Sequence, residues 1–150
     1  MGNQLQRQKK ITSHGFIIDP SEVKLADWIF QTYPETAVNV KLQDDELRTR
    51  YMNLLFGIIK RLYHKTLRDL NDDDLTKASK ELSDVIQAGF SVEWLALKLE
   101  KVSLEKKTSE TRIRELKEEV KKLKLAMLEE KAKLKKKPCW ITKTEIHISC

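Results

Sequence analysis

Leu95 to Leu134 reads LALKLEKVSLEKKTSETRIRELKEEVKKLKLAMLEEKAKL, and the spacing of its apolar residues decides the fold. With Leu99 as position a of a heptad, the a and d positions are Leu95, Leu99, Val102, Lys106, Ser109, Ile113, Leu116, Val120, Leu123, Met127, Glu130 and Leu134. The 4-3 spacing holds over 40 residues, and nine of these twelve positions are apolar. A period of 3.5 residues kept this long is the mark of a coiled coil, because it holds one narrow stripe in line along a helix. At 1.5 Å per residue the helix would run about 60 Å. One helix cannot bury such a stripe by itself, so the pattern predicts something to cover it.

The positions beside the seam constrain that cover. The g positions are Glu105, Arg112, Glu119, Ala126 and Lys133, and the e positions are Ser103, Glu110, Lys117, Lys124 and Lys131. In a parallel pair of identical chains, g faces the next e of the other chain. Glu105 then meets Glu110 and Arg112 meets Lys117, both repulsive, while Glu119 meets Lys124. Exposed pairs contribute only a few tenths of a kcal/mol each, so a parallel homodimer is weakened and not forbidden. An antiparallel self-pair, or a different helix with more acidic flanks, fits equally well. Lys106 and Ser109 leave a polar break in the seam.

Outward from the rod, Pro138 stops the helix, and CWITKTEIHISC beyond it alternates like a strand with no evident pairing partner. A C-terminal tail over 138–150 is the expectation. Toward the N-terminus three shorter helices are legible. Asp19-Pro20-Ser21-Glu22 supplies a cap, a proline for the first turn and an acid, and Val23, Ala26, Ile29, Phe30 and Tyr33 follow at helical spacing until Pro34. Val38, Val40 and Leu42 fit either an extended link or a helical turn. Asp44-Asp45-Glu46 opens a second helix with Leu47, Tyr51, Leu54, Leu55, Ile58 and Leu62 on its buried stripe and Met52 and Ile59 beside it. Asn71-Asp72-Asp73-Asp74 starts a third with Leu75, Ala78, Leu82, Val85 and Ile86; Gly89 sits where a helix ends in the left-handed region, and Ser91 is placed to cap the next helix.

Composition excludes several classes. The 150 residues carry 29 Lys+Arg and 23 Asp+Glu, a net charge of +6, with 4 Gly and 3 Pro, as suits a charged helical chain with a small core. The longest apolar run, Leu54 to Ile59, is six residues, far short of the roughly 20 of a membrane span. The start, MGNQLQRQKK, lacks the apolar stretch of a signal peptide, and Gln6 stands where myristoylation after Gly2 wants Ser or Thr. An intracellular, cytoplasmic protein is expected, its first dozen residues a flexible basic tail. Residues 1–75 hold 11 Lys+Arg and 11 Asp+Glu, and residues 76–150 hold 18 and 12, so the whole excess lies in the second half. Eight lysines and two glutamates fall within 121–137, a segment able to meet nucleic acid or an anionic membrane. No aromatic is interleaved there for base stacking, and a solvated coiled-coil face accounts for the lysines.

Signals for chemistry fail one by one. The four glycines are isolated, so no phosphate-cradling loop exists. His14, His64 and His147 are scattered; Cys139, His147 and Cys150 have spacings that match no usual zinc module. Asp72–Asp74 is explained by a helix start and lacks the Gly and distal Glu of an EF-hand. Trp28, Trp94 and Trp140 read as packing anchors. No enzyme, no metal and no cofactor is expected.

Four stretches in order carry a family resemblance: His14-Gly15-Phe16-Ile17-Ile18-Asp19-Pro20-Ser21-Glu22-Val23, then Leu47-Arg48-Thr49 with Met52-Asn53, then Asn71-Asp72-Asp73-Asp74-Leu75, then Ala88-Gly89-Phe90-Ser91-Val92-Glu93-Trp94-Leu95 leading into the heptads. Over about residues 13–135 the chain resembles the C-terminal region of the plant MATH-and-coiled-coil proteins. Members of that family typically begin with a MATH domain, a TRAF-like β-sandwich that binds peptides or proteins. Here Lys9-Lys10-Ile11-Thr12 resembles the start of such a domain and then passes straight to the helical region. The resemblance implies a truncated member without the sandwich and its peptide groove.

The expectation is therefore an all-α protein: a small three-helix body over 13–90, a coiled coil over 91–137, and tails at 1–12 and 138–150. Its expected role is protein–protein interaction or oligomerisation, with a self or heterologous partner, through Leu99, Val102, Ile113, Leu116, Val120, Leu123 and Met127. Leu95 and Leu99, nearest the body, are the positions most apt to fold onto it instead. The rival is a basic protein that binds nucleic acid or membrane through 121–137.

Overall fold

A computed structural model of the chain describes residues 10–136, 140–141 and 148–149. The chain divides into two compact units, Met1–Lys106 and Lys107–Cys150. Gly2, Gln6, Lys9, Pro138, Cys139, His147 and Cys150 lie outside the described residues.

The first unit opens with two antiparallel strands, β1 (Ile11–Ser13) and β2 (Phe16–Ile18), with Ile11 opposite Ile18 and Ser13 opposite Phe16. This corrects the all-α expectation: the protein is mostly α with a small β hairpin. The reason is the pair His14-Gly15 between the strands. Both have positive φ, 53° and 83°, the backbone of a two-residue turn whose twist matches a hairpin. Glycine takes that conformation freely; His14 is held in it by a hydrogen bond between Nε2 and Asp27 Oδ1 at 2.9 Å and by stacking on Phe30. Phe16 and Ile18 point into the core, worth about 1.5–3 kcal/mol each if exposed otherwise.

Asp19 then caps a short 3-10 turn, Pro20–Glu22, accepting the backbone N–H of Ser21 at 3.0 Å and its hydroxyl at 2.9 Å. These bonds hold the Asp19 carboxyl below its ordinary value. Helix α1 (Val23–Thr32) follows and buries Ala26 and Ile29. The link after Pro34 resolves as successive turns: Thr36, Val38 and Val40 donate to the carbonyls of Tyr33, Glu35 and Ala37.

Helix α2 (Asp45–His64) is the centre of the body. Asp44 caps it through Leu47 N–H at 2.9 Å, and Met52, Leu55, Phe56, Ile58, Ile59 and Leu62 are buried along it. Helix α3 (Asp72–Gln87) packs against α2 through Ala78, Leu82 and Val85; Ile86, expected on this stripe, is 46% exposed. Asn71 and Asp74 form a capping box, each side chain accepting the other's backbone N–H. The helix ends in a Schellman turn, with Phe90 N–H on Val85 O and Gly89 N–H on Ile86 O. Gly89 has φ 106°, and a Cβ there would stand 2.8 Å from the Asn39 carbonyl oxygen, so only glycine fits.

Helix α4 (Glu93–Lys135) begins after Val92, whose carbonyl accepts from Leu95 and Ala96. Ser91, just before it, donates its backbone N–H to Thr36 O at 2.8 Å. Leu95, Leu99 and Val102 of α4 join the body's core. In the second unit, β3 (Trp140–Ile141) pairs antiparallel with β4 (Ile148–Ser149), so the alternating segment finds its partner within itself.

Candidate functional site

Along α4 the heptad positions change environment at Lys106. Leu95 is fully buried, Val102 is 5% exposed and Leu99 9%. Lys106 is half-buried and its Nζ donates to the Leu67 carbonyl at 3.4 Å, so the body reaches this polar a position without closing it off. From Lys107 to Lys136 every residue is exposed. Ile113, Leu116, Val120, Leu123 and Met127 lie 41–70% open, and a shallow groove of about 410 Å³ runs past Ile113, Leu116 and Val120 between Lys117, Lys121 and Lys124. Of the seven residues expected at an interface, two are thus in the core of the chain's own body and five are bare to solvent.

Exposed carboxylates and cations along the same stretch pair within the helix. Arg112 reaches Glu115 at 3.5 Å and Glu119 at 3.9 Å, Lys121 reaches Glu118 at 3.4 Å, and Lys133 reaches Glu130 at 2.9 Å. Such pairs at i, i+3 support a helix that has no tertiary packing. They also place Lys121 and Lys133 of the lysine-rich segment beside acids of their own helix.

The body carries a second surface that the sequence did not single out. Trp28 and Tyr63, both more than a third exposed, stand on one wall of an open groove of about 580 Å³, with Leu25 and Ile59 at its floor and Lys24, Lys60 and His64 at its rim. Lys60 is paired with Glu22. Trp28 meets Tyr33, Tyr63 and Trp94 edge-on, Tyr33 stacks on Trp94 at 4.0 Å, and the Lys98 ammonium lies 4.6 Å from the Tyr63 ring. Burial, with Tyr33 beside it, raises the Tyr63 hydroxyl above its ordinary value. Trp94 donates through Nε1 to the buried Thr36 hydroxyl at 3.3 Å, and that hydroxyl donates to Tyr33 O at 2.7 Å. These contacts tie the start of α4 to the body, which is the anchoring role expected of Trp28 and Trp94.

The segments that carried the family resemblance have structural tasks. Arg48 donates to Leu42 O at 2.8 Å and Gly15 O at 3.1 Å while its guanidinium covers the Phe16 ring at 4.3 Å. Thr49 donates to Ile17 O at 2.7 Å. Leu47-Arg48-Thr49 therefore clasps the hairpin, a role that spacing alone does not disclose. Among the described residues no group of three or more His, Cys, Asp or Glu is placed to hold a metal ion, and no helix is long and apolar enough to cross a membrane.

The geometry defines a mostly helical protein: a packed body and a long heptad helix whose outer half is uncovered. No family model and no solved structure matches the chain. Two MATH domain and coiled-coil domain-containing proteins of Arabidopsis thaliana are similar to it, one 37% identical over 135 residues (88% of this chain, 44% of the relative) and one 34% identical over 145 residues (95% and 44%). Protein RESTRICTED TEV MOVEMENT 3 of the same plant is 34% identical over 139 residues (91% and 46%). The chain is a homologue of the plant MATH-and-coiled-coil proteins along most of its own length, and it spans less than half the length of these relatives.

Proposed function

We propose that this chain is a non-enzymatic protein-interaction module that associates through the outer half of its heptad seam. The observation that carries the reading is the apolar stripe Ile113, Leu116, Val120, Leu123 and Met127, in register and open to solvent. A heptad stripe of this kind is covered by knobs-into-holes packing against another helix. The relatives' names, which include a coiled-coil domain, support the same reading.

Light scattering over a concentration range, together with pull-down from plant extract, tests it. L116K and V120K place a charge in the stripe and should abolish association, while neutralising Lys131, Lys133 and Lys135 should change it little. Association that survives both seam substitutions, or that falls steeply with salt and with loss of those lysines, overturns the proposal.

A further inference from the structure

The uncovered seam has its own centre. Beyond Lys106, which the Leu67 carbonyl engages, the run of a and d positions is Ser109, Ile113, Leu116, Val120, Leu123 and Met127, and its midpoint is residue 118. We infer that the partner on this seam is a second copy of the chain, lying antiparallel about residue 118. This rests on the interaction-module reading above and adds the occupant, its direction and its register.

Charge complementarity carries the choice. In a parallel pair each a or d residue meets itself, so Lys106 would meet Lys106 and Glu130 would meet Glu130 within the seam, and two of three flanking pairs would repel. In antiparallel packing an a position faces a d position. About residue 118, Ile113 faces the second copy's Leu123, Val120 faces its Leu116, and Met127 faces its Ser109, each contact made twice by symmetry. Lys106 then comes opposite Glu130, so the two polar positions that clash in a parallel pair become complementary. At the flanks Glu110 faces Lys124 and Glu105 faces Lys133, again twice each. Lys117 and Glu119 each meet their own kind once, and Glu119 already has Arg112 at 3.9 Å in its own helix.

Neighbouring antiparallel registers are worse in the seam. Moving the centre half a heptad toward the N-terminus sets Leu123 against Lys106 and Val120 against Ser109. Moving it the other way sets Ile113 against Glu130 and Arg112 against Lys133. Of the three registers, only the one about 118 sets none of the five exposed apolar positions against a charged residue while bringing Lys106 opposite Glu130.

Disulfide trapping tests orientation and register together, in the full chain with Cys139 and Cys150 changed to serine. An antiparallel pair about 118 brings position 113 of one copy against 123 of the other, within the Cα separation a disulfide needs, whereas 113 is about 15 Å along the axis from its own copy. An equimolar mixture of I113C and L123C should therefore give about tenfold more covalent dimer under mild oxidation than either variant alone. Both sites are exposed, so the body should keep its circular dichroism and its melting. Rapid self-linking of I113C alone would mean a parallel pair and overturn the inference. A strictly monomeric chain at all concentrations would also overturn it, while leaving a heterologous partner for the seam. A dimer that persists in L116K and V120K would instead defeat the underlying interaction-module reading.

Discussion

The inner and outer halves of α4 share one heptad register and have opposite fates. Leu95, Leu99 and Val102 are buried in the body's core, whereas Ile113, Leu116, Val120, Leu123 and Met127 are 41–70% exposed. The polar pair Lys106 and Ser109 marks where the change falls, but the apolar residues before and after it are of the same kinds. What differs is the supply of apolar surface elsewhere in the chain. Phe16, Phe56, Leu70, Val85 and Phe90 belong to the same buried cluster as the first three positions of the stripe. A periodic pattern therefore states how much surface must be buried, and the rest of the chain decides whether it is buried at home.

The largest expected effect separates the halves directly. L95A removes a fully buried side chain and should lower the stability of the body by about 2–5 kcal/mol, read from denaturant unfolding followed by tryptophan fluorescence. L116A, in the same register but 41% exposed, should leave unfolding of the monomer within about 0.5 kcal/mol and change association instead. If the two variants melt alike, the division at Lys106 is false.

Two substitutions sharpen how the body grips the start of the seam. G89A forces a side chain into a positive φ and against the Asn39 carbonyl, so it should destabilise by more than about 1 kcal/mol. T36V keeps the shape of Thr36 but strands the Trp94 indole N–H, and should cost about 1–3 kcal/mol with a shift in tryptophan emission. Both act on the inner half alone; dimerisation through residues 109–127 should survive each wherever the chain remains folded.

How much of this was legible follows the same division. Caps and breakers act within a few residues, so Asp19, Asp44, the Asn71 helix start and the Gly89 turn stand where the sequence placed them. The hairpin was missed although its signal is local: His14-Gly15 lies between Ile11-Thr12-Ser13 and Phe16-Ile17-Ile18, each too short to display a period. Phe56 in the core, Ile86 left exposed, the Arg48 clasp and the aromatic groove depend on which helices meet. Those are tertiary facts with no signature in spacing. The seam is readable as a stripe, and so is the fold-back of Leu95 and Leu99; that Val102 joins them and that the Leu67 carbonyl, 39 residues earlier, engages Lys106 is not.

The smallest effect tests whether the body's stability is set independently of the seam. N71A removes the side-chain acceptor of the Asp74 N–H and should cost about 1 kcal/mol in unfolding. The Asp74 carboxyl is held below its ordinary value of 3.8, first by the Asn71 backbone N–H, which prevails over opposing desolvation, and further by Lys65 and Arg61. A carboxyl whose folded value is depressed binds fewer protons folded than unfolded. Its contribution is complete above the unfolded value, and it is lost as pH falls from there through the folded value. The body should therefore lose this increment on acidification below about pH 4, and D74N, which cannot ionise, should lack that part of the acid dependence. Asp74 lies on α3 and not on the seam, so neither N71A nor D74N should alter the dimer dissociation constant at neutral pH. A change in that constant would show that the body and the outer seam are energetically coupled.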